Sequence, residues 1–448
     1  MNNHRLLKLF IVLLFFPALH ATCAGAAEPA GFFLTWKNDP CHSMVVDWHV
    51  EDGAPQPGLQ YRQQGSGPWT STAGEEKPYP FAKRKLFRKE LSGLDADTAY
   101  EFRFGPDGRI LQFQTLPEKL TRPVRFAIGG DTRHKPEWLE KTNRAALAKN
   151  PDFVVLGGDL AYENGESGNV QNVIEWFEAC NKTLVTPEGR VLPVIVAIGN
   201  HEVRGGFVTG EPADSLRKSS PGMDADSFRA ALAPYFYGLF ACPGQPGYRV
   251  LDFGDYMSFV LLDSNHTNPI KGPQTDWLAE TLSQRKNRPN VFPVYHVPAY
   301  PSVRPYEEPV SILVRETWVP LFEKYGVRLA FENHDHAYKR TKPLREGKVD
   351  GSGIVFLGDG AWGVETREPH PADTTWFLEK SAKARHFILV TLEENSRSLE
   401  VFDENGVRID TLPASGPAAK TEPGISPQVP VSRRDQTWTV RDQTWTST

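Results

Sequence analysis

Five short clusters of acidic, amide and imidazole side chains recur along the chain, each directly behind a run of strand-like apolar residues. They are FAIGGDTRH around Asp131, VVLGGDLAY around Asp159, VIVAIGNHE around Asn200, FPVYHVP around His296 and LAFENHDH around His334. Oxygen and nitrogen donors delivered from the ends of successive strands are what a pair of divalent or trivalent metal ions requires. Two such ions, about 3.5–4 Å apart, clamp a phosphate and produce a hydroxide nucleophile at neutral pH.

Asp131 and Asp159 each follow a Gly-Gly pair, which predicts a sharp turn that aims the carboxylate into the crevice at the strands' carboxyl ends. Converging carboxylates repel unless protonated or bound to cations. One such aspartate alone reads as a helix N-cap; two of them, followed by GNHE and NHDH, read as metal ligands. Asn200 offers an amide oxygen to a metal, and His201 beside it can face the substrate and protonate a leaving alkoxide. His334 and His336, two apart on an extended turn, are expected to point to one side and bind neighbouring metals. His296 completes the nitrogen set.

The elements that must position these groups are legible as a change of period. Residues of about 29 to 118 read as an all-β module: FFLTWKND, SMVVDWHV, GLQYRQQ, LFRKELSGL, AYEFRFG and ILQFQTL alternate apolar and polar positions between Gly, Pro and Asp punctuation. PEKLTRP, from Pro117 to Pro123, reads as a linker. Strands then alternate with helices near EWLEKTNRAALAKN, NVIEWFEACNKTL and QTDWLAETLSQRK, the pattern of α/β units around a layered sheet. The Gly-, Pro- and Ser-rich stretch from Val203 to Gly247 is expected to be a surface insertion over the site with one helix near DSFRAALAPYF. GYRVLDFGDYMSFVLLD predicts a hairpin. Beyond Pro413 the composition predicts a disordered tail (412–448) that ends in a duplicated RDQTWT.

Length places 448 residues at two or three domains, and a net charge of −5 gives no reason to expect nucleic acid or an anionic membrane as partner. Arg5 and Lys8, the apolar Leu9 to Leu19 and the small residues Ala24-Gly25-Ala26 read as a cleaved secretory signal (residues 1–27), so the protein is expected to be exported, periplasmic or secreted, without a transmembrane segment. The apolar core falls short of the roughly 20 residues a membrane span needs. His20-Ala21-Thr22 is a poor lipobox for attachment at Cys23. Cleavage leaves Cys41, Cys180 and Cys242, which permit one disulfide, with Cys180–Cys242 the favoured pair.

The order GD…GDxxY…GNHE…H…HxH, over residues 124 to about 405, resembles the calcineurin-type metallophosphoesterases and, within them, the purple acid phosphatases. The resemblance implies an α/β four-layer β-sandwich flanked by helices (124–411), preceded by a small fibronectin type III-like β-sandwich (28–118). Leu91-Ser92-Gly93-Leu94 with Tyr100 resembles the end of such a domain and implies a structural tyrosine. It further implies that Asp159 bridges two metal ions, that Asp131, Tyr162 and His336 complete a ferric site, and that Asn200, His296 and His334 complete a second site for Zn(2+), Fe(2+) or Mn(2+). His201 would be the acid or substrate-orienting histidine. The chain departs from the pattern at Arg133, which stands where many relatives place a histidine and cannot ligate, at Asn333, where Gly is usual, and beside His296, where some relatives carry adjacent histidines. His134 can substitute as a ligand or, with Arg133, contact phosphate. Arg204 and Tyr300 are each either near-site contacts or ordinary surface and packing residues.

The function these features imply is hydrolysis of small phosphate monoesters by a metal-bound hydroxide. A phosphodiesterase or nucleotide hydrolase would use the same ligands. A catalytically silent secreted binding protein would be expected to lose Asp159, Asn200 or His201, and this chain keeps all three.

Overall fold

A computed structural model describes residues 28–415; the expected export signal, Cys23 and the RDQTWT duplicate lie outside that span. The predicted alternation near the N-terminus is realised in the strands of one sheet but not in Ser43–Glu51, which is buried over its first eight residues. Strand Ala99–Phe104 buries Tyr100, Phe102 and Phe104 and leaves Glu101 and Arg103 partly exposed. Strands Gly31–Thr35, Ser43–Glu51, Arg84–Ser92 and Glu75–Pro78 form one antiparallel sheet, and Thr70–Thr72, Leu59–Gln63, Ala99–Phe104 and Leu111–Gln114 a second. Trp48 joins them, stacked on Phe87 of its own sheet and tilted against Phe104 of the other. The Tyr100 hydroxyl accepts a 2.8 Å hydrogen bond from the Asp95 amide, pinning the corner before its strand, so this tyrosine is structural.

Beyond the loop at 117–123 the chain forms a six-stranded and a seven-stranded mixed sheet. Val124–Gly129, Phe153–Leu156 and Val194–Val196 run parallel in the first; Met257–Leu261, Asn290–Val294, Leu329–Glu332 and Val355–Gly358 run parallel in the second. These strands are apolar on both faces because both faces are covered. Phe126 and Phe153 point inward, within about 6 Å (ring centroids 5.0 and 5.9 Å) of Phe259 in the opposite sheet. Ala127, Val154 and Leu156 point the other way, under Leu139, Trp176 and Phe177 of the helices Pro136–Leu147 and Val170–Thr183. On the far side Val260 and Leu262 pack under Leu278, Trp318 and Phe322. The result is helix, sheet, sheet, helix.

Helix Pro136–Leu147 follows from its sequence: Pro at the first position, Glu137 in the first turn, Arg144 in the last, and Leu139, Thr142, Asn143 and Ala146 buried at i, i+3, i+4, i+7 spacing. The insertion differs from expectation. DSFRAALAPYF is two helices, Ala225–Leu232 and Pro234–Leu239, because Ala233 precedes a proline and leaves the helical region (φ −128°, ψ 64°). A third helix, Ala213–Ser219, and the pair Pro309–Thr317 and Val319–Lys324 carry no strong periodic signal. The expected Cys180–Cys242 disulfide is not formed. Cys41, Cys180 and Cys242 are free, buried thiols, and Cys180 and Cys242 pack in separate core clusters.

Candidate metal centre

The parallel strands deliver the chemistry at their carboxyl ends. Asp131 lies two residues beyond Val124–Gly129, Asp159 three beyond Phe153–Leu156, Asn200 four beyond Val194–Val196, His296 two beyond Asn290–Val294, and His334 two beyond Leu329–Glu332. Neither aspartate caps a helix: the residue before Pro136–Leu147 is Lys135, and it makes no side-chain cap.

The turns that aim these groups are built differently from the sequence expectation. Gly130 and Gly157 are not needed for a left-handed backbone; a Cβ on them would fall 2.4 Å from Asn333 Oδ1 and 1.9 Å from Asn333 Nδ2. The two glycines make room for the amide that replaces the usual glycine of the last cluster, and Asn333 Nδ2 donates to the Tyr295 carbonyl at 2.9 Å. The left-handed conformation falls on Gly158 (φ 99°) of the second pair and on the functional residues themselves: Asp131 (φ 57°), Asp159 (53°), Tyr162 (58°), His334 (83°) and His336 (60°). Non-glycine residues held there cost roughly 1–3 kcal/mol each, which the surrounding packing must supply.

Seven expected ligands converge. His296 Nε2 lies 3.2 Å from Asp159 Oδ2, 3.2 Å from Asn200 Oδ1 and 3.0 Å from His334 Nδ1. His336 Nε2 lies 3.1 Å from Asp131 Oδ1 and 3.1 Å from the Tyr162 hydroxyl. Donor atoms of Asp159, His296 and His334 form one compact group, those of Asp131, Asp159 and His336 another, and Asp159 belongs to both. The two histidines of the H-x-H turn thus fall in two neighbouring groups that share Asp159.

The centre fits a pair of cations on its own electrostatics. Asp131 and Asp159 are fully buried carboxylates, and Asp159 Oδ2 has no hydrogen-bond donor. Burial works against the charge of Asp159, yet His296 and His201 hold its carboxyl well below the usual range. Burial lowers His296 while Asp159 and Asp131 raise it, with a net rise to about 9. Burial with Asp131 and Asp159 alongside pushes the Tyr162 phenol well above its ordinary value. Deprotonating that phenol beside two carboxylates requires positive charge at its oxygen.

Supporting groups orient the ligands. His296 Nδ1 bonds the Gly157 carbonyl at 3.0 Å and His336 Nδ1 the Glu365 carbonyl at 3.2 Å, which turns each Nε2 inward. Glu202, which sequence reasoning passed over although it closes the GNHE cluster, accepts from the amides of Asp159 (2.9 Å), Leu160 (2.6 Å) and Gly199 (2.6 Å). Behind the H-x-H turn lies a second network with no sequence signal. Buried Lys339 reaches Glu332 (2.6 Å) and Asp359 (3.2 Å), and Asp335 accepts from Val303 N (2.7 Å) and Arg304 Nη1 (2.6 Å).

His201 is the solvent-facing imidazole. Its Nδ1 bonds Asn164 Oδ1 at 2.6 Å, its ring lies over Tyr162 at 4.3 Å, and its Nε2 is 3.9 Å from Asp159 Oδ2. His134 packs edge-on to Tyr162 at 4.7 Å and accepts from the Glu365 amide through Nδ1 at 3.1 Å. Burial and neighbouring His336 lower its pKa. Arg133 turns to Glu175 on helix Val170–Thr183, and its charge is engaged there. Tyr300 is a buried packing residue against Phe356 and Phe377, and Arg204 donates to the Gly165 carbonyl at 3.0 Å.

Residues 124–338 match the calcineurin-like phosphoesterase family, and residues 29–115 match the purple acid phosphatase N-terminal domain. With the fold and the clustered side chains, the chain carries a calcineurin-like phosphoesterase domain preceded by a purple acid phosphatase N-terminal domain. Purple acid phosphatase 22 of Arabidopsis thaliana is 28% identical over 349 residues, covering 76% of this chain and 71% of that protein. Purple acid phosphatase 18 of the same plant is 26% identical over 336 residues, covering 73% and 68%. The purple acid phosphatase PPD1 from yellow lupin (Lupinus luteus) seeds shares the fold, with a TM-score of 0.66 at 19% identity over 86% of this chain and 74% of that one.

Proposed function

We propose that the protein hydrolyses small phosphate monoesters at a two-metal centre. The observation that supports this most strongly is the buried Asp159 carboxylate, shared between two groups of candidate ligands, with Oδ1 held by the His201 amide at 2.8 Å and Oδ2 accepting no hydrogen bond. Asp131, Asp159, Tyr162 and His336 would hold a ferric ion, and Asp159, Asn200, His296 and His334 a zinc, ferrous or manganous ion. The bound pair would supply Lewis acidity to the phosphate and acidify the attacking water. The chain's own residues do the rest. His201, with Nδ1 donating to Asn164, keeps Nε2 free to give a proton to the leaving alkoxide. The packed ring of Tyr162 fixes the imidazole plane. The N-terminal module (28–118) is read as fibronectin type III-like, the catalytic part as 124–411, and the protein as exported.

The test is metal analysis with a visible spectrum, alongside rates for p-nitrophenyl phosphate and its bis-ester. Expected are two metal ions per chain, faster turnover of the monoester, and a phenolate-to-iron absorption band that Tyr162→Phe abolishes. A single metal, or a bis-ester turned over faster, overturns the proposal; a colourless zinc or manganese enzyme overturns the ferric assignment alone.

A further inference from the structure

The loops bordering the metal centre carry four arginines whose charges have very different surroundings. Arg133 is paired with Glu175. Arg204 donates to the Gly165 carbonyl and lies 3.8 Å from Glu166. Arg304 bonds Asp335 at 2.6 Å and the His334 carbonyl at 2.8 Å. The fourth, Arg367, is exposed, and among the described residues its guanidinium makes no ion pair or hydrogen bond.

Arg367 is nonetheless fixed at the centre by its backbone. Its amide donates to the carbonyl of His336 at 2.9 Å, and two residues earlier Glu365 bonds His336 Nδ1 through its carbonyl and His134 Nδ1 through its amide. The segment is thus tied to the H-x-H turn at two points and to His134 at a third, with the arginine exposed. Glu368 beside it is drawn to Lys383 at 3.7 Å, and Glu365 lies within electrostatic reach of His134.

We propose that Arg367 is a second anion-binding group on the rim of the centre, one that favours phosphoryl substrates, ester or anhydride, whose leaving group carries another phosphate. This rests on the phosphatase reading above. A phosphoryl group held at the metals leaves its ester oxygen toward solvent, and the next anion along the substrate meets the one uncommitted guanidinium of the rim. Guanidinium binds phosphate through a planar fork of donors, which an ammonium matches only as a point charge.

The experiment compares wild type with Arg367→Gln and Arg367→Lys, both of which keep the backbone bond to His336. Rates are measured for ADP and for p-nitrophenyl phosphate. Binding of inorganic pyrophosphate and inorganic phosphate to the metal-loaded protein is measured by calorimetry. In Arg367→Gln the ratio of kcat/KM for ADP to that for p-nitrophenyl phosphate is expected to fall roughly tenfold or more, the loss of one charge-assisted pair. The ratio of pyrophosphate to phosphate affinity should fall in parallel, and Arg367→Lys should recover part of both. Unchanged ratios overturn the proposal. Failure of the phosphatase reading shows separately, as a wild type inactive on both substrates, and the pyrophosphate-to-phosphate ratio then still decides whether Arg367 binds a second anion.

Discussion

At the scale of single residues, several of the candidate ligands are oriented by a second group behind them. Glu202 is the clearest case. Its carboxylate gathers the amides of Asp159, Leu160 and Gly199 and so fixes the left-handed backbone that points Asp159 at both ligand groups. Burial and Asp159 push the Glu202 carboxyl up, and the amides pull it back. Glu202→Gln keeps the shape but replaces one acceptor oxygen by a donor facing amides. Metal affinity, read by equilibrium dialysis, is expected to drop about 10–100-fold, the usual effect of disturbing such a partner. His201 makes a different prediction because its proposed role is at the substrate rather than at the metal. His201→Ala should lower kcat by about 10²–10⁴-fold on alkyl phosphates, which need a proton on the departing oxygen, and by much less on p-nitrophenyl phosphate. Equal losses on both would remove His201 from the proton-transfer role.

At the scale of elements, the question is what keeps the H-x-H turn in its strained conformation. The answer lies one layer deeper, where Lys339 on strand Tyr338–Thr341 sits fully buried between Glu332, at the end of the strand before the turn, and Asp359, at the start of the loop that carries Arg367. Tyr295 and the Ala299 amide complete the shell of Glu332 at 2.5 and 2.6 Å. Lys339→Met leaves two buried carboxylates without their cation and is expected to destabilise the fold by about 3–5 kcal/mol, measured as a shift of the denaturant midpoint. Replacing only a surface pair such as Arg217–Asp214 should change it by less than about 1 kcal/mol. The strands, the site-bearing loops and the helices Pro136–Leu147, Val170–Thr183 and Pro273–Gln284 were legible in local residue pattern. The broken insertion helix was not, since DSFRAALAP reads as one amphipathic run until the proline's effect on Ala233 is weighed.

At the scale of the whole molecule, the N-terminal sheets are fastened to the catalytic part. Phe33 packs against Trp176, Phe177 and Phe240, Trp36 against Phe153 and Phe253, and the Asn181 amide bonds both backbone groups of Phe32 at 3.0 and 2.6 Å. His49 is buried in this interface, edge-on to Tyr79 and Phe177, with neither ring nitrogen hydrogen-bonded. Burial, with Arg84 and Arg88 nearby, lowers its pKa from 6.5 to about 3. The unfolded chain therefore binds a proton near pH 6.5 that the folded chain refuses until about pH 3, so stability falls as pH drops through that window. His49→Phe keeps an aromatic ring at the interface and removes the titration. The difference in unfolding free energy between variant and wild type should shift in the variant's favour by about 2 kcal/mol between pH 7.5 and 5. No shift would place His49 in contact with water.

The amino-acid sequence determined the α/β alternation, the all-β module before it and the identities of the residues that meet at the centre, because each of these is written in local pattern and residue type. It could not determine that Gly130 and Gly157 exist to admit Asn333, that Cys180 and Cys242 belong to different cores, that Lys339 underlies the H-x-H turn, or that Arg133 is occupied while Arg367 is free. Those facts concern pairs of residues far apart in the chain. Which long-range partner a side chain finds is set by how the layers stack and where the loops cross, and only the folded structure fixes that.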